Sequence, residues 1–155
     1  LPQLQSNNLL PKQRKTGLEI MVEENYRLYS DGACRGNPGI GGAGAVITDA
    51  AGNVVWEGKE FLGYCTNNIA EYKALILGLK GALVQGYNNL EVYLDSELLS
   101  KQINGSYRVK NESLKNLMAE IRSLLSSLES VQVKHVLRSH NSHADKLANT
   151  SIDEK

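Results

Sequence analysis

Apolar and polar positions alternate with period two in three early stretches of the chain. "YRLYSD" (26–31), "GGAGAVITDA" (41–50) and "NVVWEGKEFLGYC" (53–65) therefore read as strands. "DAAGN" places hairpin-turn residues between the second and third. The glycine tract 36–44 is expected to join the first two, which makes three successive antiparallel strands. The period then changes to 3.6. Within 67–86, Ile69, Tyr72, Ile76, Leu79 and Leu83 form one apolar stripe, and Gly86 supplies a stop. Gly78 and Gly81 cost helix propensity, which predicts close packing against a neighbour. "NLEVYLD" (89–95) is a fourth strand, and a short helix follows over 96–105. An amphipathic helix over 111–129, a fifth strand over 131–138 and a last helix over 141–152 complete the chain. The order βββ-α-β-α-α-β-α predicts an α/β fold, and strand–helix–strand successions favour parallel pairing by crossover.

Residues 1–24 keep neither period. They are polar, hold Pro2 and Pro11, and read as a tail or linker ahead of a folded domain at 25–153. Met21 is a candidate native start, and a linker reading of the residues before it stays open. A chain of 155 residues is long enough for one domain with its own core. Neither a membrane-spanning apolar run nor a charged-then-apolar leader is visible, so no membrane partner is expected. Cys34 and Cys65 lie far apart in sequence without paired-ligand spacing. A reducing, cytoplasmic setting is the expectation, with neither disulfide nor zinc.

Charge complicates the choice of partner. The 17 basic and 17 acidic residues cancel, which argues against a nucleic-acid ligand. The objection weakens if four acids hold two divalent cations, because the loaded chain then carries about +4 with the charge in the site. Candidate acids exist. Asp31 stands at a strand tip that breaks at once into glycines, in "YSDGACRGNPG". An anion there repels phosphate unless a cation sits between them. Glu71 falls in the first turn of the first helix, Asp95 ends the fourth strand, and Asp145 falls in the first turn of the last helix. Each of these three also has a capping reading. Glu71 follows Asn68 by three, Asp145 follows Ser142 by three, and Asp95 precedes a helix. Taken together they favour a metal site, because strand C-termini and helix N-termini converge at one edge of an α/β sheet. Oxygen-only donors suit Mg²⁺ or Mn²⁺.

Four stretches carry a family resemblance: "DGACRGNPG" around Asp31, "TNNIAEYKAL" around Glu71, "YLDSELL" around Asp95 and "NSHADKLAN" around Asp145. In this order and spacing, over about 26–150, the chain resembles a type 1 ribonuclease H. The resemblance implies a ribonuclease H-like fold, a five-stranded mixed sheet flanked by helices. It also implies an endonuclease that hydrolyses the RNA strand of RNA–DNA hybrids with two Mg²⁺ ions, Mn²⁺ substituting, and leaves 5′-phosphate and 3′-hydroxyl ends. Asp31 would bridge both ions, Asp145 would complete one, and Glu71 and Asp95 would hold the other. Asn37, Asn67 and Asn68 would contact minor-groove edges and 2′-hydroxyls, and Thr66 a phosphate of the DNA strand. The glycine loop would bring backbone close to the nucleic acid.

Departures from the family pattern are also legible. Glu97 stands where many relatives have glutamine. The segment from Arg138 to Asn141 is short where many have a histidine loop, which leaves Arg138 and His140 as candidates for an auxiliary role. His135 falls on the Val131–Val133–Leu137 face and reads as structural, and His143 reads as solvent-facing. A long basic handle is replaced by "GSYRVKNES", with Arg108 and Lys110 as its bases. Weak intrinsic affinity for hybrid, or help from an additional N-terminal hybrid-binding domain, would follow. A retroelement ribonuclease H domain, a catalytically silent hybrid-binding module and another two-metal nuclease of the same fold, such as an exonuclease or resolvase, are the alternatives, the last disfavoured by "DGACRGNPG" and "TNN".

Overall fold

The computed structural model describes residues 24–155. The expected tail at 1–24 lies outside them except for Glu24. Five strands form one mixed sheet: β1 (Tyr26–Gly36), β2 (Gly39–Thr48), β3 (Val54–Cys65), β4 (Asn89–Leu94) and β5 (Ser130–His135). Four helices accompany them: α1 (Asn67–Gln85), α2 (Glu97–Ile103), α3 (Glu112–Ser126) and α4 (Ser142–Asp153). The element order is the expected one. Strand order across the sheet is β3-β2-β1-β4-β5. β1 pairs antiparallel with β2, and β2 with β3, whereas β1 with β4 and β4 with β5 run parallel. Short connections make the first three strands a meander, and the helical crossovers return the chain in the same direction for the last two.

The core lies between the sheet and α1, with α3 packed behind. Leu28, Ile47, Tyr72, Leu75, Leu79, Val92, Leu94 and Ile121 are all buried there. Each large side chain removed from water in this way contributes about 1.5–3 kcal/mol. The stripe predicted for α1 faces this core: Tyr72, Ile76 and Leu79 are buried, with Ile69 and Leu83 at its margins. Gly86 ends the helix in the left-handed region, at φ 81°. Gly78 and Gly81 are close-packed as expected. A Cβ on Gly78 would stand 2.5 Å from Leu28 Cδ1, and one on Gly81 would stand 2.4 Å from the Trp56 ring.

The glycine tract differs from its expected place as a connection. β1 runs on to Gly36 and β2 begins at Gly39, so most of the tract is strand and only a tight turn containing a cis Asn37–Pro38 bond separates the two. Packing is the reason. A Cβ on Gly42 would lie 2.4 Å from the Ala148 carbonyl oxygen and one on Gly44 2.3 Å from that of Ala144, so these two glycines let α4 settle directly on β2. No helix among the described residues is long and apolar enough to cross a membrane.

Candidate metal centre and nucleic-acid interface

Asp31 lies in the central strand, paired with Gly44 and 5% exposed. Its neighbour Gly32 decides how closely α1 can approach. A Cβ on Gly32 would stand 2.3 Å from the Ala70 carbonyl carbon and 2.5 Å from the Glu71 nitrogen. Without one, the first turn of α1 rests on β1, and the Gly32 N–H donates to Glu71 Oε1 at 2.9 Å. Gly32→Ala is expected to push α1 off β1 and break this bond. Overpacking of this kind costs about 1–3 kcal/mol. A thermal melt should show a fall of several degrees, and unchanged melting would mean that the helix yields without loss.

None of the capping readings holds. Thr66 caps α1, its Oγ1 accepting from Ile69 N at 3.2 Å, and Ser96 caps α2, its Oγ accepting from Leu99 N at 3.1 Å. Asn141 precedes α4, which has no side-chain cap bond. Glu71, Asp95 and Asp145 are thereby released from helix-end duties. One carboxylate oxygen from each of Asp31, Glu71 and Asp95 falls within 4.8 Å of the others. Asp145 stands outside that triplet but lines the same cavity as Asp31 and Glu71. The four acids chosen from sequence therefore gather in one region.

Crowding shifts the protonation of Asp31 and Glu71. Burial, then the charges of Glu71 and Asp95, then the nearness of Asp145, hold the Asp31 carboxyl far above the usual carboxylate range. Burial also raises Glu71, to about 7, although the Gly32 N–H and the Arg138 charge oppose the rise. Oxygen-only donors, close together and costly to ionise without a counter-charge, fit one or more hard divalent cations. Asp31, Glu71, Asp95 and Asp145 are the residues that would hold them.

A cavity of about 380 Å³ opens over this cluster, lined by Asp31, Glu71 and Asp145 with Asn67, Asn68, Arg138, Arg35, Ser96 and Asn149. A second, of about 320 Å³, adjoins it and is lined by Asn37, Thr66, Asn68, Asn111 and Ser113. The structure thus gathers Asn37, Thr66, Asn67 and Asn68 along one polar trough beside the acids. Asn37 Oδ1 accepts from Asn67 N at 3.0 Å, which ties the β1–β2 turn to the start of α1. The two auxiliary candidates separate. Arg138 lines the acidic cavity, whereas His140 closes the short turn Arg138–His140, is exposed and is not among the lining residues.

His143 is exposed as expected, and its Nε2 lies 2.5 Å from Glu57 Oε2 on β3. Other polar residues sit differently from expectation. His135 shares its face with Val131 and Val133 but is exposed. Glu97 is turned to Lys101, 3.1 Å away. Cys34 and Cys65, distant in sequence, are neighbours in the fold: the free Cys34 thiol donates to the Cys65 carbonyl at 3.2 Å.

Sequence reasoning missed three residues of this region. Asn149 Nδ2 donates to Asp145 Oδ1 at 3.4 Å and to its carbonyl at 3.1 Å, and the i,i+4 spacing from Asp145 was the available signal. Asn111 enters the second cavity while capping α3, its Oδ1 accepting from Leu114 N at 3.2 Å. Asn141, buried behind the acids, left no signal beyond its place at a helix start.

Comparison with known proteins places this architecture. A family model described as "Reverse transcriptase-like" matches residues 29–151. The chain is 39% identical over 126 residues to ribonuclease HI of Halobacterium salinarum, an alignment covering 81% of this chain and 63% of that protein. It is 35% identical over 143 residues to ribonuclease H of Polynucleobacter asymbioticus, covering 82% of this chain and 89% of the relative. LC11-RNase H1, solved in complex with an RNA/DNA hybrid, matches with a TM-score of 0.79 at 38% identity, over 83% of this chain and 97% of that one. The chain spans less than two thirds of the halobacterial relative and only 35% of a Mycobacterium tuberculosis bifunctional protein to which it is 39% identical.

Proposed function

Because the chain belongs to the type 1 ribonuclease H family, we propose that it is a divalent-metal-dependent endonuclease that hydrolyses the RNA strand of an RNA–DNA hybrid. One observation carries the reading: ligand oxygens of Asp31, Glu71 and Asp95 lie within 4.8 Å of one another, and Asp31, Glu71 and Asp145 line one cavity. Two Mg²⁺ ions, or Mn²⁺ in their place, would supply the positive charge that receives the scissile phosphate and acidifies the attacking water. Asp31, Glu71, Asp95 and Asp145 would hold this charge. In-line attack breaks the bond from phosphorus to the 3′ oxygen, so the products carry 5′-phosphate and 3′-hydroxyl ends.

Selection of RNA falls to the first turn of α1. Asn67 and Asn68 are exposed within the acidic cavity and present amide groups that can read a 2′-hydroxyl and base edges in a shallow minor groove. Asn37, Thr66, Asn68, Asn111 and Ser113 line the adjoining cavity together with Ile69 and Leu114, and its uncharged hydrogen-bonding groups suit a phosphate of the paired DNA strand. Arg138 stands where it can offset negative charge as the substrate enters or leaves. Between α2 and α3 the bases Arg108 and Lys110 flank no long handle, and modest affinity, or reliance on a further hybrid-binding domain, follows. We assign catalysis to residues 25–153 and propose a reducing cytoplasmic setting.

The test is a gel assay with end-labelled RNA in a hybrid, in an RNA duplex and as a single strand, with Mg²⁺ or with chelator. Internal cleavage of the hybrid alone, only with metal, is the expected result. Binding without cleavage at saturating Mg²⁺ would replace the proposal with a silent binding module.

A further inference from the structure

We propose that Asn141 is the positioning residue that holds three of the four clustered carboxylates in ligand geometry. The inference rests on the reading of that cluster as a metal site. Asn141 is 1% exposed. Its Nδ2 donates to the Ser30 carbonyl at 2.8 Å and to Asp95 Oδ2 at 2.9 Å. Its backbone carbonyl accepts from Asp145 N at 3.1 Å, the first intrahelical bond of α4, so the side chain sits one turn from Asp145. One residue thus ties together the peptide just before Asp31 in β1, the carboxylate at the end of β4 and the first turn of α4. Those three elements come from distant parts of the chain, and their relative placement decides whether Asp31, Asp95 and Asp145 share a cation.

Two features separate this from ordinary capping. An asparagine before a helix usually turns its side-chain oxygen onto the first-turn N–H groups. Here α4 receives no such bond, and Asn141 Oδ1 is buried without a partner among the described residues. The amide gives up the cap and leaves an acceptor unsatisfied, so that both N–H groups point at the Ser30 carbonyl and Asp95. A neutral donor is also the right chemistry. It orients the carboxylate without bringing a positive charge that would compete with a cation for it. Outer partners of metal ligands act in this way, and their loss typically weakens metal binding about 10–100-fold.

The experiment is calorimetric titration of Mn²⁺ into the metal-free full chain, for wild type, Asn141→Ala and Asn141→Asp. The aspartate keeps the volume but removes both donors, so it separates donation from packing. Both variants are expected to bind Mn²⁺ about tenfold more weakly or worse. Equal affinity in a folded variant overturns the inference and leaves Asn141 a structural residue. If neither variant folds, the ¹⁵N-labelled wild type decides. The Asn141 side-chain N–H protons should exchange slowly and shift on Mg²⁺ saturation, and fast exchange or an unmoved resonance overturns the inference. Failure of wild type to take up any metal would overturn the site reading and this inference with it, whereas equal uptake by wild type and variants overturns this inference alone.

Discussion

Asp31→Asn is expected to lower cleavage of an RNA–DNA hybrid by on the order of a thousandfold or more while the fold survives. Loss of one preorganised electrostatic group commonly costs about 10²–10³ in rate, and Asp31 contacts more of the cluster than any single donor does. It is the buried member, close to Glu71 and Asp95 and lining one cavity with Asp145. Asparagine keeps the shape and removes the charge, so the backbone pairing of Asp31 with Gly44 should persist. Single-turnover rates at saturating Mg²⁺, with circular dichroism as the folding control, check this. Activity within tenfold of wild type would remove Asp31 from the catalytic centre.

Metal-free protein is expected to melt at progressively lower temperature as pH rises from 5 to 8. The sign follows from which state holds the protons. Burial and mutual repulsion raise Glu71 to about 7 and Asp31 higher still, both above their values in an unfolded chain. Between the ordinary carboxylate range and those raised values the native state retains protons that the unfolded state has released. Stability is then greatest on the acid side and falls as pH rises through the window. Opposing shifts act elsewhere. Asp49 is held low by the Asn53 N–H, Glu91 by the Tyr93 hydroxyl and Glu97 by Lys101, and these matter below about pH 4.5. Saturating Mg²⁺ should reverse the loss near neutrality, since a ligand at about a hundred times its Kd adds about 2.7 kcal/mol. Asp31→Asn should melt higher than wild type in chelator at pH 8 and gain less from Mg²⁺. Scanning calorimetry at four pH values settles the point. Flat wild-type melting across the window would mean that water or distance relieves the repulsion.

Much of this was legible in the chain because local physics dictates it. Period-two and period-3.6 patterns report which face of each element is buried, so the element order and the stripe from Ile69 to Leu83 could be read directly. The four acids were legible as a set because each stands at a strand end or a helix start, and such positions meet at one edge of a parallel-containing sheet. Gly78 and Gly81 announced close packing by their helix cost alone.

What sequence left open were relations between residues far apart along the chain. Local spacing offered Glu71, Asp95 and Asp145 as helix caps, and only the fold shows Thr66 and Ser96 capping while Asn141 turns away. The glycine tract 36–44 read as a connection although β1 and β2 run through most of it. For Gly42 and Gly44 the reason is α4, which arrives about a hundred residues later. Cys34 and Cys65 meet, and His143 meets Glu57, across strand pairings that no periodicity encodes. Asn141 is the clearest case. Its side chain ties strands β1 and β4 behind the acidic cluster, and a single asparagine before a helix looks the same in sequence whether it caps that helix or holds a site together.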